Sequence, residues 1–345
     1  MNIKKNTFQG AVMFDQNEPL KIIDLPMIPP GDGQVLVKLL MAGICGAQKN
    51  EITGVKGKDK FLPHLMGHEG FGIVSSVGAG VTKVKMGDYV VMHWRKGSGC
   101  DCFGGKYAWK NYSVGSGPVT TFSEFSIVAE NRVTAVDYEE DFLKIYPLLG
   151  CALSTSYGIV KNDISGDLNQ NILISGAGGI GLSIGFWLKI LGYKNICMFD
   201  RFSEKRSYCE ENGFLFYSEE NLIDLFSSGS QKYSTCIDTT GSVNVISYCF
   251  DSLDKNGALI LVGQPRLGSE LLLKNPLKFF DGIKISASDG GGFNPDLDIP
   301  EMINLIRPHR ESALSLVTDV IDLEQINKAI DSMDDRGHGR VLIKF

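Results

Sequence analysis

No stretch of the 345-residue chain approaches the roughly 18 consecutive apolar residues that a membrane-spanning helix requires. Basic residues do not outnumber acidic ones. Thirty-four Lys and Arg stand against 40 Asp and Glu, net −6, which offers no general attraction to nucleic acid or to an anionic membrane. The first residues, Met1-Asn-Ile-Lys-Lys-Asn, are basic but have no apolar segment behind them, so no secretory leader is expected. Repeats and low-complexity segments are missing. So is any CxxC pair: the eight cysteines, at 45, 100, 102, 151, 197, 209, 236 and 249, are scattered. That is not the dense framework of a secreted disulfide scaffold, and it points to reduced thiols in the cytoplasm.

What is present bounds the fold. At about 150 residues per domain the length suits two domains. With 43% apolar and 21% charged residues, a sizeable core is affordable and disorder is not expected. The 40 glycines exceed the average usage of roughly 7% without any repeat, which excludes a helical bundle.

The chain has two textures. Up to about residue 150, short β-branched runs (35–40, 72–77, 89–92) alternate with turn signals such as Pro29-Pro30-Gly31-Asp-Gly33 and Gly78-Ala-Gly80. Such spacing predicts an antiparallel barrel or sandwich. From about residue 165, strands at 171–175, 194–200, 234–238 and 257–263 alternate with helical patterns, which predicts βαβ units around a parallel sheet. Helical stretches at 299–306 and 323–333 and a strand at 340–345 complete the chain.

Between the 171–175 strand and the next helix lies Gly176-Ala-Gly178-Gly179-Ile180-Gly181. Gly176 permits a tight turn, Gly178 lets the backbone approach a pyrophosphate, and Gly181 lets helix and strand pack closely. The helix N-terminus then faces the phosphate charge. Asp200 ends the following strand, where a carboxylate accepts from the adenosine ribose hydroxyls and disfavours a 2′-phosphate. NAD is therefore expected, with Arg201 next to it keeping NADP open.

Elsewhere, Gly43-Ile-Cys45-Gly46, Gly67-His68-Glu69 and Gly150-Cys151-Ala supply one His and two Cys from separate loops. Taken by themselves they are either ordinary core residues or a three-ligand zinc site with an open fourth position, the catalytic arrangement.

The order G-I-C-G, G-H-E-x-x-G-x5-G, G-C-A-x-S-T-x-Y-G and G-x-G-x-x-G resembles the zinc-containing alcohol dehydrogenases of the medium-chain dehydrogenase/reductase superfamily, over nearly the whole chain. The resemblance implies a GroES-like β-barrel catalytic domain (1–152, with a C-terminal return at 288–345) around a doubly wound α/β Rossmann domain (153–287). It implies one catalytic zinc per chain on Cys45, His68 and Cys151, with Glu69 able to enter coordination. It also implies Thr155 at the nicotinamide, Val262 among the cofactor-binding residues, Lys205 at the adenosine ribose and Arg340, in Gly337-His338-Gly-Arg340, at the pyrophosphate. Trp94 and Phe122 fall where relatives line the substrate pocket, and Ala47 and His93 are expected in that pocket with them. Hydride would pass between NAD(H) and an alcohol or carbonyl compound, in a homodimer or homotetramer whose contact includes an edge strand at 276–286.

Three departures from the family pattern stand out. The usual hydroxyl two residues after the first ligand is replaced by Ala47, so the customary proton relay is missing. An acid hydrogen-bonded to the ligand histidine is replaced by Gln48, expected to accept from the imidazole N–H. Only Cys100 and Cys102 occupy the lobe where most relatives place four cysteines, so no structural zinc is expected. His93, Arg95 and Lys96 suggest a polar or anionic substrate, the alternative for the two cations being a solvated loop face. Two competing readings are a zinc-independent quinone or enoyl reductase on the same fold and a non-catalytic NAD-binding protein.

Overall fold

The computed structural model describes residues 6–221, 231–333 and 339–345. The chain divides into two compact units, Met1–Ser154 with Asn294–Phe345, and Thr155–Phe293.

The first unit begins with ten strands: β1 (Thr7–Met13), β2 (Lys21–Pro26), β3 (Gln34–Ile44), β4 (His64–Leu65), β5 (Gly70–Val77), β6 (Tyr89–Met92), β7 (Lys106–Trp109), β8 (Tyr112–Ser116), β9 (Phe125–Ala129) and β10 (Val133–Ala135). They form two sheets. One runs β2-β1-β4-β8-β7, and the other runs β10-β6-β5-β3, with β9 also on β3. Alternation explains the packing: Val35, Val37 and Leu39 of β3 point into one buried cluster with Val74, Val90 and Met92. Leu36 of the same strand joins the opposite cluster with Phe8, Leu25 and Ile127. Helix α1 (Gly46–Ile52) follows β3 directly.

The second unit is entered through α2 (Ala152–Gly158) and a π-helical turn, Ile159–Asp163. Its sheet comprises β11 (Asn171–Ser175), β12 (Asn195–Phe199), β13 (Leu215–Tyr217), β14 (Tyr233–Asp238), β15 (Leu253–Leu261) and β16 (Lys284–Ala287), in the order β13-β12-β11-β14-β15-β16. Every pairing is parallel. This is the 3-2-1-4-5-6 order, whose reversal between β11 and β14 opens a crevice at the strand C-termini. The helices include α3 (Gly179–Ile190), which buries Ile184, Trp187 and Leu188 as the spacing predicts, and stops where Gly192 adopts φ +93°. Among the described residues the unit also holds α4 (Arg206–Glu211) and α5 (Val243–Ser252).

The chain then returns to the first unit through α6 (Pro295–Ile306), α7 (Arg310–Leu314), β17 (Val317–Asp322), α8 (Ile326–Ser332) and β18 (Arg340–Lys344). Strand β18 pairs antiparallel with β3, and Ile321, Leu323, Ile326 and Ile343 join the core around β3.

Two expectations need correction. Helix α6 starts at Pro295 rather than 299, because Asn294 caps it by accepting from the Asp296 N–H and proline suits the first helical turn. The 276–286 stretch is not one edge strand: Pro276–Asp281 is a 3₁₀ helix, and only Lys284–Ala287 pairs at the sheet edge.

Candidate metal centre and dinucleotide site

Strand β3 delivers Cys45 to the start of α1, where its N–H donates to Gln48 Oε1 at 3.0 Å. Gly67, at φ +98°, turns the chain ahead of His68 and Glu69, and β5 follows at once. Cys151 ends a 3₁₀ segment at the entrance to α2. Gly43 makes room: a Cβ there would sit 2.7 Å from the Glu69 carboxyl carbon. One donor atom from each of Cys45, His68, Glu69 and Cys151 lies within 4.8 Å of the others.

The chemistry of this cluster fits a soft divalent cation. His68 Nε2 is buried without any hydrogen-bond partner. The hydrogen bond with Cys151 draws the Cys45 thiol well below its usual range against the effect of burial, and Arg340 and His68 add to this. The Cys151 thiol is pushed up, chiefly by the same hydrogen bond with Cys45 and by burial. Glu69 is 0% exposed, and burial raises its carboxyl. Its Oε2 accepts from the Ala152 N–H at 3.2 Å, and its Oε1 lies 3.3 Å from Arg340 Nη1, which also reaches Ile44 O at 3.3 Å. Arg340 is thus buried among the metal-site residues, a placement the sequence does not announce because its partner lies 271 residues away. Gly337 and His338 lie outside the described residues.

Gln48 behaves differently from expectation. Its Oε1 is taken by the Cys45 N–H, so Nε2 faces His68 Nδ1 and donates to it. A neutral imidazole offering Nε2 to a metal carries its proton on Nδ1. Ligation therefore calls for the amide to turn and present its oxygen to the ring.

The expected substrate-pocket residues differ in exposure. Ala47 is half-exposed on α1. Trp94 is half-buried, its carbonyl held by Arg132 Nη1, with the Arg95 guanidinium 5.9 Å from its ring centroid. His93 and Phe122 are both 0% exposed. His93 engages Arg95 O through Nδ1 (2.6 Å) and Thr134 Oγ1 through Nε2 (3.0 Å), and burial holds its pKa down at about 4. Phe122 belongs to the core around β3. Lys96 is ion-paired to Asp101 at 2.5 Å.

Cys100 and Cys102 face carbonyl oxygens, Gly80 O at 3.6 Å and Gly33 O at 3.4 Å. Their lobe is gathered around Glu130. That carboxylate accepts from the Thr82 and Lys83 N–H groups at 2.5 Å each and from the Cys100 N–H at 2.8 Å. Burial opposes its ionisation, but these amides prevail and hold its pKa at about 2.

In the second unit, the 176–181 loop joins β11 to α3. Gly176 adopts φ +95°, and a Cβ on Gly181 would fall 1.8 Å from Gly176 O. Nothing lies within 4 Å of the space above Gly178, the N-cap of α3, so that backbone is open to a ligand. Gly179 and Ile180 form the first turn of α3 and are half-buried. Asp200 Oδ2 accepts from the Ala177 N–H and Lys205 Nζ, both at 2.8 Å, and Oδ1 accepts from the Phe202 N–H at 3.1 Å. A carboxylate has about four acceptor positions, so capacity for one further donor remains on Oδ1. Arg201 is exposed, with its guanidinium 4.5 Å from the Phe202 ring centroid. Thr155 lies in α2, and the Val262 N–H donates to Asp238 O.

Sequence reasoning missed Asp238. It is 0% exposed at the end of β14 and accepts from Ser175 Oγ (2.9 Å), Thr240 Oγ1 (2.7 Å) and the Gly241 N–H (2.9 Å). Thr239 Oγ1 donates to Ser175 O and Gly176 O, bracing the glycine turn. The only signal was an acid closing an apolar strand.

A 3-2-1-4-5-6 sheet with a glycine turn at its first helix in one unit, and two thiols, an imidazole and a carboxylate gathered in the other, are the marks of a metal-dependent, dinucleotide-linked oxidoreductase. Comparison with known proteins narrows the class. Residues 31–138 match the family model described as alcohol dehydrogenase GroES-like domain, and residues 179–307 match that of zinc-binding dehydrogenase. An S-(hydroxymethyl)glutathione dehydrogenase of Photobacterium damsela subsp. piscicida is 27% identical, covering 98% of this chain and 99% of the relative. A class-3 alcohol dehydrogenase of Drosophila melanogaster is also 27% identical, covering 98% of each. The crystal structure of benzyl alcohol dehydrogenase from Acinetobacter calcoaceticus superposes with a TM-score of 0.85 at 23% identity, over 99% of this chain and 100% of that one. The chain belongs to the zinc-containing alcohol dehydrogenases of the medium-chain dehydrogenase/reductase superfamily.

Proposed function

We propose that this protein transfers hydride between NAD(H) and an alcohol or carbonyl substrate, with zinc held by Cys45, His68 and Cys151 and with Glu69 able to enter coordination. The observation that carries the reading is the buried cluster itself: four donors within 4.8 Å of one another, with His68 Nε2 lacking any partner. Zinc bound there supplies Lewis acidity at the substrate oxygen. Arg340 balances the charge of Glu69 and the thiolates, keeping a buried anionic site tolerable in a medium of low dielectric. The 176–181 loop receives the pyrophosphate, and Asp200 with Lys205 receives the adenosine ribose. The Asp200 carboxylate favours NAD over NADP. Thr155 is proposed at the nicotinamide and Val262 among the cofactor-binding residues. Reach of Arg340 to the pyrophosphate is part of the same proposal.

For the substrate, we infer a polar compound. Arg95 beside Trp94 supports this, while Lys96 is spent on Asp101 and His93 is sealed in the core. One relative's name specifies a glutathione adduct and that of a structural neighbour an aromatic alcohol, so a panel of substrates must span both chemistries.

No helix among the described residues is long and apolar enough to cross a membrane. All eight cysteines are free thiols, which supports a reducing, cytoplasmic setting. Exposed Leu272, Leu277 and Phe280, leading into the edge strand β16, support a homo-oligomer joined at that edge.

The test joins metal analysis to a screen of alcohols and aldehydes with NAD(H) and NADP(H). About one zinc per chain and NAD-linked turnover are expected. Protein purified without chelators yet free of zinc would overturn the reading in favour of a zinc-independent reductase. Zinc without any turnover would favour the non-catalytic alternative.

A further inference from the structure

We propose that Glu51 is the proton-exit group of this enzyme, the carboxylate that takes up, through water, the proton an alcohol loses on oxidation. The inference rests on the hydride-transfer reading above and goes beyond it.

The need arises in α1. Alcohol oxidation sends the C–H electron pair as hydride to NAD⁺ while the O–H bond breaks, forming NADH, a C=O bond and one proton that must leave. The helix begins beside a metal ligand, yet Ala47, Gln48, Lys49 and Asn50 are a methyl, an amide, an ammonium and a second amide. A methyl and two amides offer no basic site, and an ammonium carries three donors and no acceptor.

Glu51 is the next residue, and helix geometry brings it back to the same face. It stands four positions after Ala47 and three after Gln48, separations at which side chains are neighbours. Gln48 is 1% exposed and touches both Cys45 and His68, so Glu51 lies one turn along from a residue joined to two ligands. Glu51 is half-buried, with a route to solvent. Its carbonyl oxygen accepts from Gln16 Nε2 at 2.7 Å, but among the described residues its carboxylate takes no hydrogen bond or ion pair. A partly buried carboxylate without a partner is uncommon in a purely structural role.

Its electrostatic setting suits a proton acceptor. Burial raises its pKa, and this outweighs the opposing pull of His68, His64 and Lys56, while Asp59 adds to the rise. Asp59 is committed elsewhere, to His64 Nδ1 at 3.0 Å and to the Phe61 N–H at 2.6 Å. It therefore does not compete for the proton. A carboxylate moved from its ordinary range toward solution pH accepts a proton more readily than an ordinary surface glutamate. In the reverse reaction the same group returns the proton to the nascent alcohol.

The test compares wild type with Glu51→Gln and Glu51→Asp in the zinc-loaded enzyme. Glu51→Gln is expected to lower kcat for alcohol oxidation by about 10²-fold, the scale of one general acid–base group. KM for NAD and zinc content should be unchanged. Added imidazole buffer should restore the rate of Glu51→Gln in proportion to its concentration, and should leave wild type and Glu51→Asp unaffected. The acidic limb of the kcat profile should disappear in Glu51→Gln. Independently of activity, an infrared carboxyl band that titrates in wild type should be missing in Glu51→Gln. A Glu51→Gln enzyme with wild-type kcat and pH profile, or one whose loss no buffer restores, overturns the proposal. If Glu51→Gln fails to fold, a buffer-dependent rate in Glu51→Asp does the same. Wild type without NAD-linked turnover would instead refute the parent reading, so the two failures are distinguishable.

Discussion

Replacing Glu130 by glutamine tests how the 82–102 lobe is held. The carboxylate receives three backbone N–H groups and sits at about 2 against an ordinary 4.5. That gap corresponds to about 3 kcal/mol at neutral pH. A folded pKa below the unfolded one gives stability that is fully present above the ordinary 4.5 and lost as pH falls toward about 2. The destabilisation by Glu130→Gln should therefore be about 3 kcal/mol at pH 7 and only about 1.5 kcal/mol at pH 3. The structure also says where the damage falls. The single remaining oxygen should stay with the Thr82 and Lys83 amides, which leaves an NH₂ group facing the Cys100 N–H. Residue-resolved hydrogen exchange should show the Cys100 amide losing most protection, and urea unfolding at the two pH values should give the energies. Equal midpoints for the variant and wild type at pH 7, or a deficit that does not shrink in acid, would refute the carboxylate as the anchor of this lobe.

Other consequences are narrower. Gly181→Ala places a Cβ 1.8 Å from Gly176 O, so NADH binding measured by fluorescence should be lost while zinc content is retained. Removing the Asp200 charge with Asp200→Asn should raise KM for NAD roughly tenfold, the worth of one charged hydrogen bond, and narrow the preference over NADP in steady-state assays. Arg340→Met leaves Glu69 as an uncompensated buried charge, and thermal or urea unfolding should show a loss of about 3–5 kcal/mol. Arg340→Lys should recover part of that loss; full stability in Arg340→Met would mean that Glu69 does not need its cation.

Much of this protein is legible along the chain. Period-2 runs gave the β strands of the first unit, and the 3.6-residue stripe through Ile184, Trp187 and Leu188 gave α3. The glycine turn and the acid ending the next strand stood out because such a device is local, built within about 30 residues of strand, turn and helix. The candidate set Cys45, His68 and Cys151 stood out by type and by resemblance of motif order, since residue types able to bind a metal are few.

What the order of residues did not disclose is how charges and hydrogen bonds pair across the fold. Arg340 meets Glu69 only because β18 lies antiparallel on β3, joining residues 271 positions apart. The partners of both His93 ring nitrogens, and its closure from solvent, come from tertiary packing alone. Glu130, silent in the sequence, became an anchor when three amides from two loops converged on it. Gln48 was foreseen beside His68, but its direction of donation was set by the capping of α1. Local chemistry and periodicity depend on neighbours in the chain, so the sequence alone determined the two units and the donor types. Burial and partner choice depend on neighbours in space, and only the tertiary structure decided which of those groups are sealed, paired or left open for chemistry.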